Sequence, residues 1–262
     1  GFIFAKPVRA MKVAQYDTDV TDAQWKLLKK ELPTPNKIGR PPIDRRIVVN
    51  AIFYVLKGGI QWRLLPESFP SWKTVYHIFR QWSRDYTLER LNGVLRKKVR
   101  AQGDKRWQPT AAILDSQSVK SDSHGGDVGY DAGKKIKGRK RHILVDTLGL
   151  LLGAAMTTAD MPERAGAKTL LGRILKTFTS LRKMWVDGGY TGPEFAEWVK
   201  GQRPKLEVEV VKRSDDISGF EVLPRRWVVE RTFGWLMRHR RLVRDYEKTE
   251  TSAAAWVYLA MI

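Results

Sequence analysis

Ala111-Ala112-Ile113-Leu114-Asp115 and Met184-Trp185-Val186-Asp187 are the two stretches on which the reading of this chain turns. Each is a short apolar run that ends in an aspartate, the pattern of a buried strand whose last side chain emerges at the end of a sheet. Around them, His142 to Asp146 and Leu150 to Thr158 read as two further strands about a Leu148-Gly149 turn, and Leu206 to Lys212 alternates as another. Arg164 to Phe178, Pro193 to Lys200 and Trp227 to about Tyr246 carry helical periodicity. Residues 121–138, rich in Gly, Asp, Ser and Lys, read as a loop.

Three strands, then helix, strand, helix, strand and helix, is the order of an α/β fold of ribonuclease-H-like type, a mixed five-stranded sheet with flanking helices. This part spans residues 110–262. Residues 17–105 read as all-helical. Thr21-Asp22-Ala23-Gln24 fits a capping box, and Trp25, Leu28 and Leu32 follow on one face until Pro33 and Pro35. A second helix runs from about Arg45 to Lys57, with Val48, Ala51, Ile52 and Val55 buried, and Gly58-Gly59 ends it. Ser71 would cap a third, with Val75, Ile78, Phe79 and Trp82 inward and Lys73, Arg80 and Arg84 on the other side. A fourth covers Leu88 to about Val99, and Gln102 to Pro109 reads as a linker. Such a region is either a helix-turn-helix-like module that sets its third helix in a major groove or a plain bundle for dimer packing. At helical spacing its tryptophans read as core. Residues 1–16 form an N-terminal extension in which Met11 would serve as a natural start. The sequence ends inside an apolar run, Leu259-Ala260-Met261-Ile262, which would leave a few native residues beyond it.

Charge bounds the partner. The 262 residues carry 48 Lys+Arg against 28 Asp+Glu, a formal net charge of +20, which favours a polyanion such as nucleic acid. There is no cysteine, so disulfides and thiolate zinc sites are excluded. The four histidines are scattered without metal-ligand spacing. No run reaches the roughly 18 apolar residues that span a bilayer. The composition fits a reducing cytoplasm, and no membrane partner is expected.

If the two aspartate-ended strands are neighbours, Asp115 and Asp187 meet. Adjacent carboxylates repel unless a cation neutralises them, and a hard divalent ion bound by carboxylates and phosphate oxygens does so. Taken singly, each could instead cap a turn; Asp187-Gly188-Gly189 is a turn sequence by itself. A third carboxylate, Glu230, lies in the apolar helix Trp227-Val228-Val229-Glu230-Arg231-Thr232-Phe233-Gly234-Trp235-Leu236. It would either ligate the same cations or pair with Arg226 four residues earlier. Asp146 is a rival, but its place before Leu148-Gly149 reads as an ordinary hairpin turn.

Leu114-Asp115-Ser116-Gln117-Ser118-Val119-Lys120, Gly138-Arg139-Lys140-Arg141-His142, Asp187-Gly188-Gly189-Tyr190 and Arg226-Trp227-Val228-Val229-Glu230-Arg231-Thr232-Phe233 together resemble the catalytic segments of DDE transposases, closest to the insertion-sequence-five family of bacterial elements. Gly39-Arg40-Pro41-Pro42 and Gly59-Ile60-Gln61-Trp62-Arg63-Leu64-Leu65-Pro66 resemble that family's helical DNA-binding region, so the resemblance covers about residues 17–262. It implies that Asp115, Asp187 and Glu230 are a catalytic and metal-binding triad holding Mg2+, with two ions and Mn2+ able to substitute. It further implies binding of double-stranded DNA at terminal inverted repeats, phosphodiester hydrolysis, strand transfer into target DNA without a covalent protein–DNA intermediate, and a homodimer or higher oligomer. The broader group places Tyr and Lys at set spacing around the last acid, where this chain has Leu223 and Met237. Those departures bear on contacts to the transposon end.

Two basic clusters flank the proposed site: Lys134, Lys135, Lys137, Arg139, Lys140 and Arg141, and Arg238, Arg240, Arg241 and Arg244. They suit phosphate contacts or are a solvated charged face. Lys120, Arg226 and Arg231, inside the quoted motifs, join this DNA-facing set, as do Lys73, Arg80 and Arg84. Two rivals remain at this stage. One is a DNA-binding descendant that no longer cuts. The other is a structure-specific nuclease that cuts without joining.

Overall fold

A computed structural model of the protein describes residues 16–34, 42–121, 126–211 and 227–262. The expectations placed on residues 1–15, Gly39-Arg40-Pro41, Leu223 and Arg226 lie outside the described residues. The N-terminal helices are α1 (Asp22–Leu28), α2 (Arg45–Gly58), α3 (Trp72–Arg84) and α4 (Thr87–Gln102). Thr21 and Gln24 close the expected capping box on α1, each side chain accepting from the other's backbone N–H. Gly59 ends α2 at φ 67°, and a Cβ there would lie 2.9 Å from Arg240 Cβ, so only glycine suits both the conformation and the approach.

The sheet is built from β1 (Ala111–Lys120), β2 (Gly129–Asp131), β3 (Ile136–Asp146), β4 (Leu151–Thr158), β5 (Lys183–Val186) and β6 (Glu207–Val210), with α5 (Glu163–Ile174) and α6 (Pro193–Gln202) between the later strands. Its order is β2-β3-β1-β5-β6, with β4 also paired to β3. β3 runs antiparallel to β1 and β4, while β1, β5 and β6 are mutually parallel. The mixed sheet agrees with the sequence reading and is consistent with a ribonuclease-H-like arrangement. It has six strands rather than five, because β2 falls in the segment read as a loop. Gly129, Tyr130 and Asp131 pair with the start of β3, which begins at Ile136 rather than at His142. Two positions in this hairpin are too tight for a side chain: a Cβ on Gly138 would meet the Val119 carbonyl at 2.0 Å, and one on Gly129 would meet the Asp160 carboxylate. Glycine-rich composition thus marks close strand packing here.

The C-terminal region departs from the single long helix expected over 227–246. It forms α7 (Trp227–Met237), α8 (Arg240–Val243) and α9 (Glu250–Ala260). His239 is extended (φ −102°, ψ 112°), and Asp245 N–H donates to the Lys120 carbonyl at 2.9 Å, extending the sheet end. α9 is buried from Ser252 to Leu259, apolar nearly all round, as a helix in a core should be. Its Trp256 stacks on Phe79 of α3 with centroids 4.4 Å apart.

One face of the sheet (Ile113, Ile143, Val145) packs with α2, α3, α7 and α9; the other (Ala112, Leu114, Leu144) packs with α5 and α6. The N-terminal helices therefore share one core with the sheet through α9. Trp82 and Trp256 are each 1% exposed; Trp82 is a core residue as its spacing suggests, and Trp256 comes from a helix the sequence did not reveal.

His142 lies in this interior beneath α5, where a Cβ on Gly166 would sit 2.1 Å from its Nε2. Burial first, and Lys140 next, hold its pKa down to about 4; burial and then Lys57 hold half-buried His239 to about 4 as well. The unfolded chain takes up these protons near pH 6.5, so the native state is favoured fully above that pH and loses ground as pH falls to about 4. His142 alone is expected to contribute a loss of about 3 kcal/mol across that window. Urea unfolding at neutral pH and again near the acid end checks this; equal stability at both would contradict it.

Candidate active site and nucleic-acid interface

The parallel pairing of β1 and β5 sets the site. Ala111, Ala112 and Ile113 lie opposite Lys183, Met184 and Trp185. Continuing that register by two residues brings Asp115 beside Asp187. Alternation along each strand puts both on the face of Ile113 and Trp185, the face covered by α7. β5 stops because Gly188–Tyr190 turns into a single 3-10 turn, capped by Asp187 Oδ1 accepting from Gly189 N–H at 3.0 Å. The turn role and the site role therefore coexist in one carboxylate. Asp115 Oδ1 accepts from the Ser116 N–H at 2.7 Å. Both aspartates are half-buried.

Tyr190 lies under this pair, 1% exposed. Its hydroxyl is pushed well above the ordinary tyrosine range by burial, then by Asp115, Glu163 and Asp187. Three carboxylates therefore act on one phenol, with Ser116 as its hydrogen-bond partner. Glu163, at the first turn of α5, was not singled out in the sequence. An acid at the start of a helix reads as a partner of the helix dipole, so no local signal distinguishes it.

Glu230 sits on the exposed side of the first turn of α7. Its neighbours Val229, Thr232, Phe233 and Leu236 are the buried stripe. The helix thus lies over the face carrying Asp115 and Asp187. Among the described residues, however, no three acidic or histidine side chains are grouped closely enough to hold a metal ion. The register of β1 and β5 sets Asp115 and Asp187 on neighbouring strands, and Glu230 stands on α7, the helix packed over the same face of the sheet. β1 runs on to Lys120 rather than ending at Asp115 as the sequence suggested, so Asp187 at the end of β5 lies against the middle of β1, and the fit to a divalent cation rests on the donor chemistry of the pair, hard carboxylate oxygens on neighbouring strands.

Asp146, the rival carboxylate, is fully buried. Its Oδ1 accepts from the Leu148 and Leu150 N–H groups, and its Oδ2 pairs with Arg100 at 2.5 Å. It is a turn residue with a buried counterion, as its position in the sequence suggested.

The basic clusters divide by burial, and four members are corrected. Arg139 is 1% exposed and donates to Asp245, to the Glu247 and Lys248 carbonyls and to the Asp127 carbonyl. Arg141, also 1% exposed, donates to Gln117 and to the Leu242 carbonyl. Lys140 is buried against the Met161 carbonyl and Asp131. Arg241 is held by Glu247 and the Ile60 carbonyl. Arg139 and Arg141 stitch the chain after α7 onto β3, Arg241 ties that chain to the end of α2, and burial removes all four cations from the open surface. Arg231, half-buried, lies between the Trp227 and Trp235 rings and donates to the Leu148 carbonyl, fastening α7 to the β3–β4 turn. Arg80 is half-buried over Tyr76.

Lys73, Arg84, Lys120, Lys134, Lys135, Lys137, Arg238, Arg240 and Arg244 are exposed. Lys134 pairs with Glu163 at 3.0 Å. The bridge between Ser121 and Asp245 brings Lys120 and Arg244 to the same sheet end, five residues beyond Asp115, or roughly 17 Å along the strand.

Aspartates on neighbouring parallel strands, in a chain of net charge +20, suit an enzyme that acts on a polyanion. Residues 106–262 match the family model "Transposase DDE domain", and residues 20–92 match "Putative transposase of IS4/5 family". Over 117 residues the chain is 30% identical to the "Insertion element IS402 uncharacterized 16.2 kDa protein" of Burkholderia cepacia, covering 42% of this chain and 78% of that protein. The chain belongs to the DDE transposase family, of the IS4/5 type of insertion element. No helix among the described residues is long and apolar enough to cross a membrane.

Proposed function

We propose that this transposase binds the terminal inverted repeats of its element and carries out divalent-metal-dependent hydrolysis and strand transfer into target DNA. The observation that carries the reading is the register that sets Asp115 beside Asp187 in a member of this family. Asp115, Asp187 and Glu230 would hold Mg2+, with Mn2+ as a substitute, and the bound ions would supply charge neutralisation at the scissile phosphate and its attacking oxygen. Glu230 would join the pair from α7, the helix over the same face. Residues 110–262 carry the chemistry, and residues 17–105 supply end recognition, with Lys73 and Arg84 on α3 facing the duplex. Two or more protomers pair the two ends.

The test is incubation of the protein and Mg2+ with DNA carrying the element's ends, alongside a pre-cut end. The expected products are strands broken at the ends and 3′-ends joined to new DNA. Breakage without joining would make the protein a nuclease instead. Binding with neither product under Mg2+ or Mn2+ would make it a DNA-binding protein that no longer cuts.

Lys120 and Arg244 are proposed as phosphate contacts. Changing each to glutamine is expected to reduce the slope of log affinity against log salt by about one per residue, with little change in sequence preference. Unchanged slopes in both variants would remove this edge from the interface.

A further inference from the structure

Where α2, α3 and the chain after α8 meet, the surface opens into a hollow of about 500 Å³ that the proposed metal chemistry does not use. Its lining includes the rings of Trp62, Trp72, Tyr76 and Tyr246 and the guanidinium groups of Arg63 and Arg241. The spacing of the N-terminal tryptophans suggested core positions, yet Trp62 and Trp72 are only half-buried.

The walls are built into the fold. The Trp62 ring lies 5.4 Å from that of Phe79 and 5.6 Å from that of Trp256, both in the core, and Tyr76 packs on it at 5.3 Å. Tyr246 is 41% exposed, and the Arg241 guanidinium stands 5.3 Å from the centre of its ring. Arg241 is already held by Glu247 and the Ile60 carbonyl, so it supports the ring rather than reaching for a ligand. Exposed rings scattered singly are ordinary on a protein surface. Four rings around one concavity, anchored to the core through Trp62, are a preformed aromatic site.

Charge selects the occupant. Among the described residues no acidic side chain lines the hollow. Arg63 is exposed, 5.7 Å from the centre of the Trp72 ring, and makes no ion pair or hydrogen bond among the described residues. Lys73 and Arg240 are exposed beside it, Arg240 against Gly59 of the lining. Tyr246 directly follows Asp245, whose bridge to Ser121 marks the sheet end with Lys120 and Arg244. Aromatic faces beside free cations match a nucleotide, which carries a flat base and a phosphate. A duplex keeps its base faces stacked inside, so only an unpaired nucleotide presents one. Breaking strands at an element's end creates such nucleotides.

We propose that this hollow binds an unpaired nucleotide of the DNA substrate, its base stacked on Trp72 and Tyr246 and its phosphate held by Arg63. The inference rests on the reading of this chain as an enzyme that acts on DNA.

The experiment measures fluorescence anisotropy of three labelled probes with the full chain: a short oligothymidine strand, a strand of the same length without bases, and a duplex. The first two carry the same phosphates and differ only in bases. Wild type is expected to bind the oligothymidine about tenfold more tightly than the abasic strand. Trp72→Ala and Tyr246→Ala are expected to erase most of that difference and to leave duplex binding unchanged. Arg63→Gln is expected to keep the difference and to lower the slope of log affinity against log salt for the oligothymidine by about 0.7. Equal binding of the two single strands by wild type, or a difference that survives both ring variants, overturns the inference. Ring variants that weaken duplex and single strands alike would make the hollow a backbone contact, and the inference falls. If sedimentation shows that they change only the oligomeric state, the hollow is an interface between copies, and the inference falls as well. No binding of any probe by wild type would instead refute the reading of the chain as DNA-binding. Thermal unfolding checks each variant; should Trp72→Ala unfold, the exposed Tyr246 decides alone.

Discussion

Asp187→Asn is expected to lower metal-dependent cleavage of end-containing DNA by about a thousandfold or more, with DNA binding retained. The asparagine keeps the size of the side chain and its carbonyl oxygen, so the cap on Gly189 N–H survives and the turn after β5 stays in place. What is lost is the negative charge beside Asp115. A single remaining aspartate attracts a hard cation far less than the pair does, and the ion is what neutralises charge at the phosphate. The same substitution at Asp115 should act alike, because the parallel register makes the two equivalent in position. Glu230→Gln should act through the same step only if α7 delivers that carboxylate to the pair. Single-turnover cleavage of a labelled end, together with a binding isotherm, measures both quantities. Cleavage within a few-fold of wild type in the Asp187 variant would end the proposed chemistry.

Glu247→Ala is expected to cost about 3–5 kcal/mol of stability, enough to unfold a marginal domain. Glu247 is 6% exposed, and its Oε1 accepts from Arg241 Nε and Nη2, at 3.1 and 2.5 Å, and from Trp256 Nε1 at 2.8 Å. Removing it strands a buried guanidinium and a buried indole N–H together. Breaking one half of a buried pair is costly because the other charge stays in the interior. Replacing both partners, Arg241→Met with Glu247→Leu, should therefore destabilise less than Glu247→Ala alone. Urea midpoints at constant slope test the comparison. A loss under 1 kcal/mol in the single variant would mean that water reaches Arg241 and the network is not closed.

The same network explains where sequence reading erred. Arg139, Lys140 and Arg141 form a basic run, and a basic run ordinarily faces solvent. Here both faces of β3 are covered, and the partners of Arg139 lie more than a hundred residues away, at Asp245 and Glu247. Nothing near Arg139 in the chain announces them. The long helix expected over 227–246 broke for the same reason: the chain after His239 is drawn to the end of β1 and to these cations. α9 went unread because an all-apolar stretch has no periodic stripe to reveal it.

The sequence by itself determined that apolar strands carry Asp115 and lead into Asp187, the helix between them, the turn role of Asp146 and the excess of positive charge; it did not show that β1 runs on past Asp115 to Lys120. These are local features, set by the alternation of apolar residues and by turn chemistry within a few positions. Tertiary structure decided which cations are interior, placed Glu163 against Gly189 and Ser116, left Glu230 exposed on α7, and merged the N-terminal helices with the sheet into one core. The physical reason is that burial and charge pairing depend on groups distant in the chain, and folding alone brings those groups within a hydrogen bond of each other.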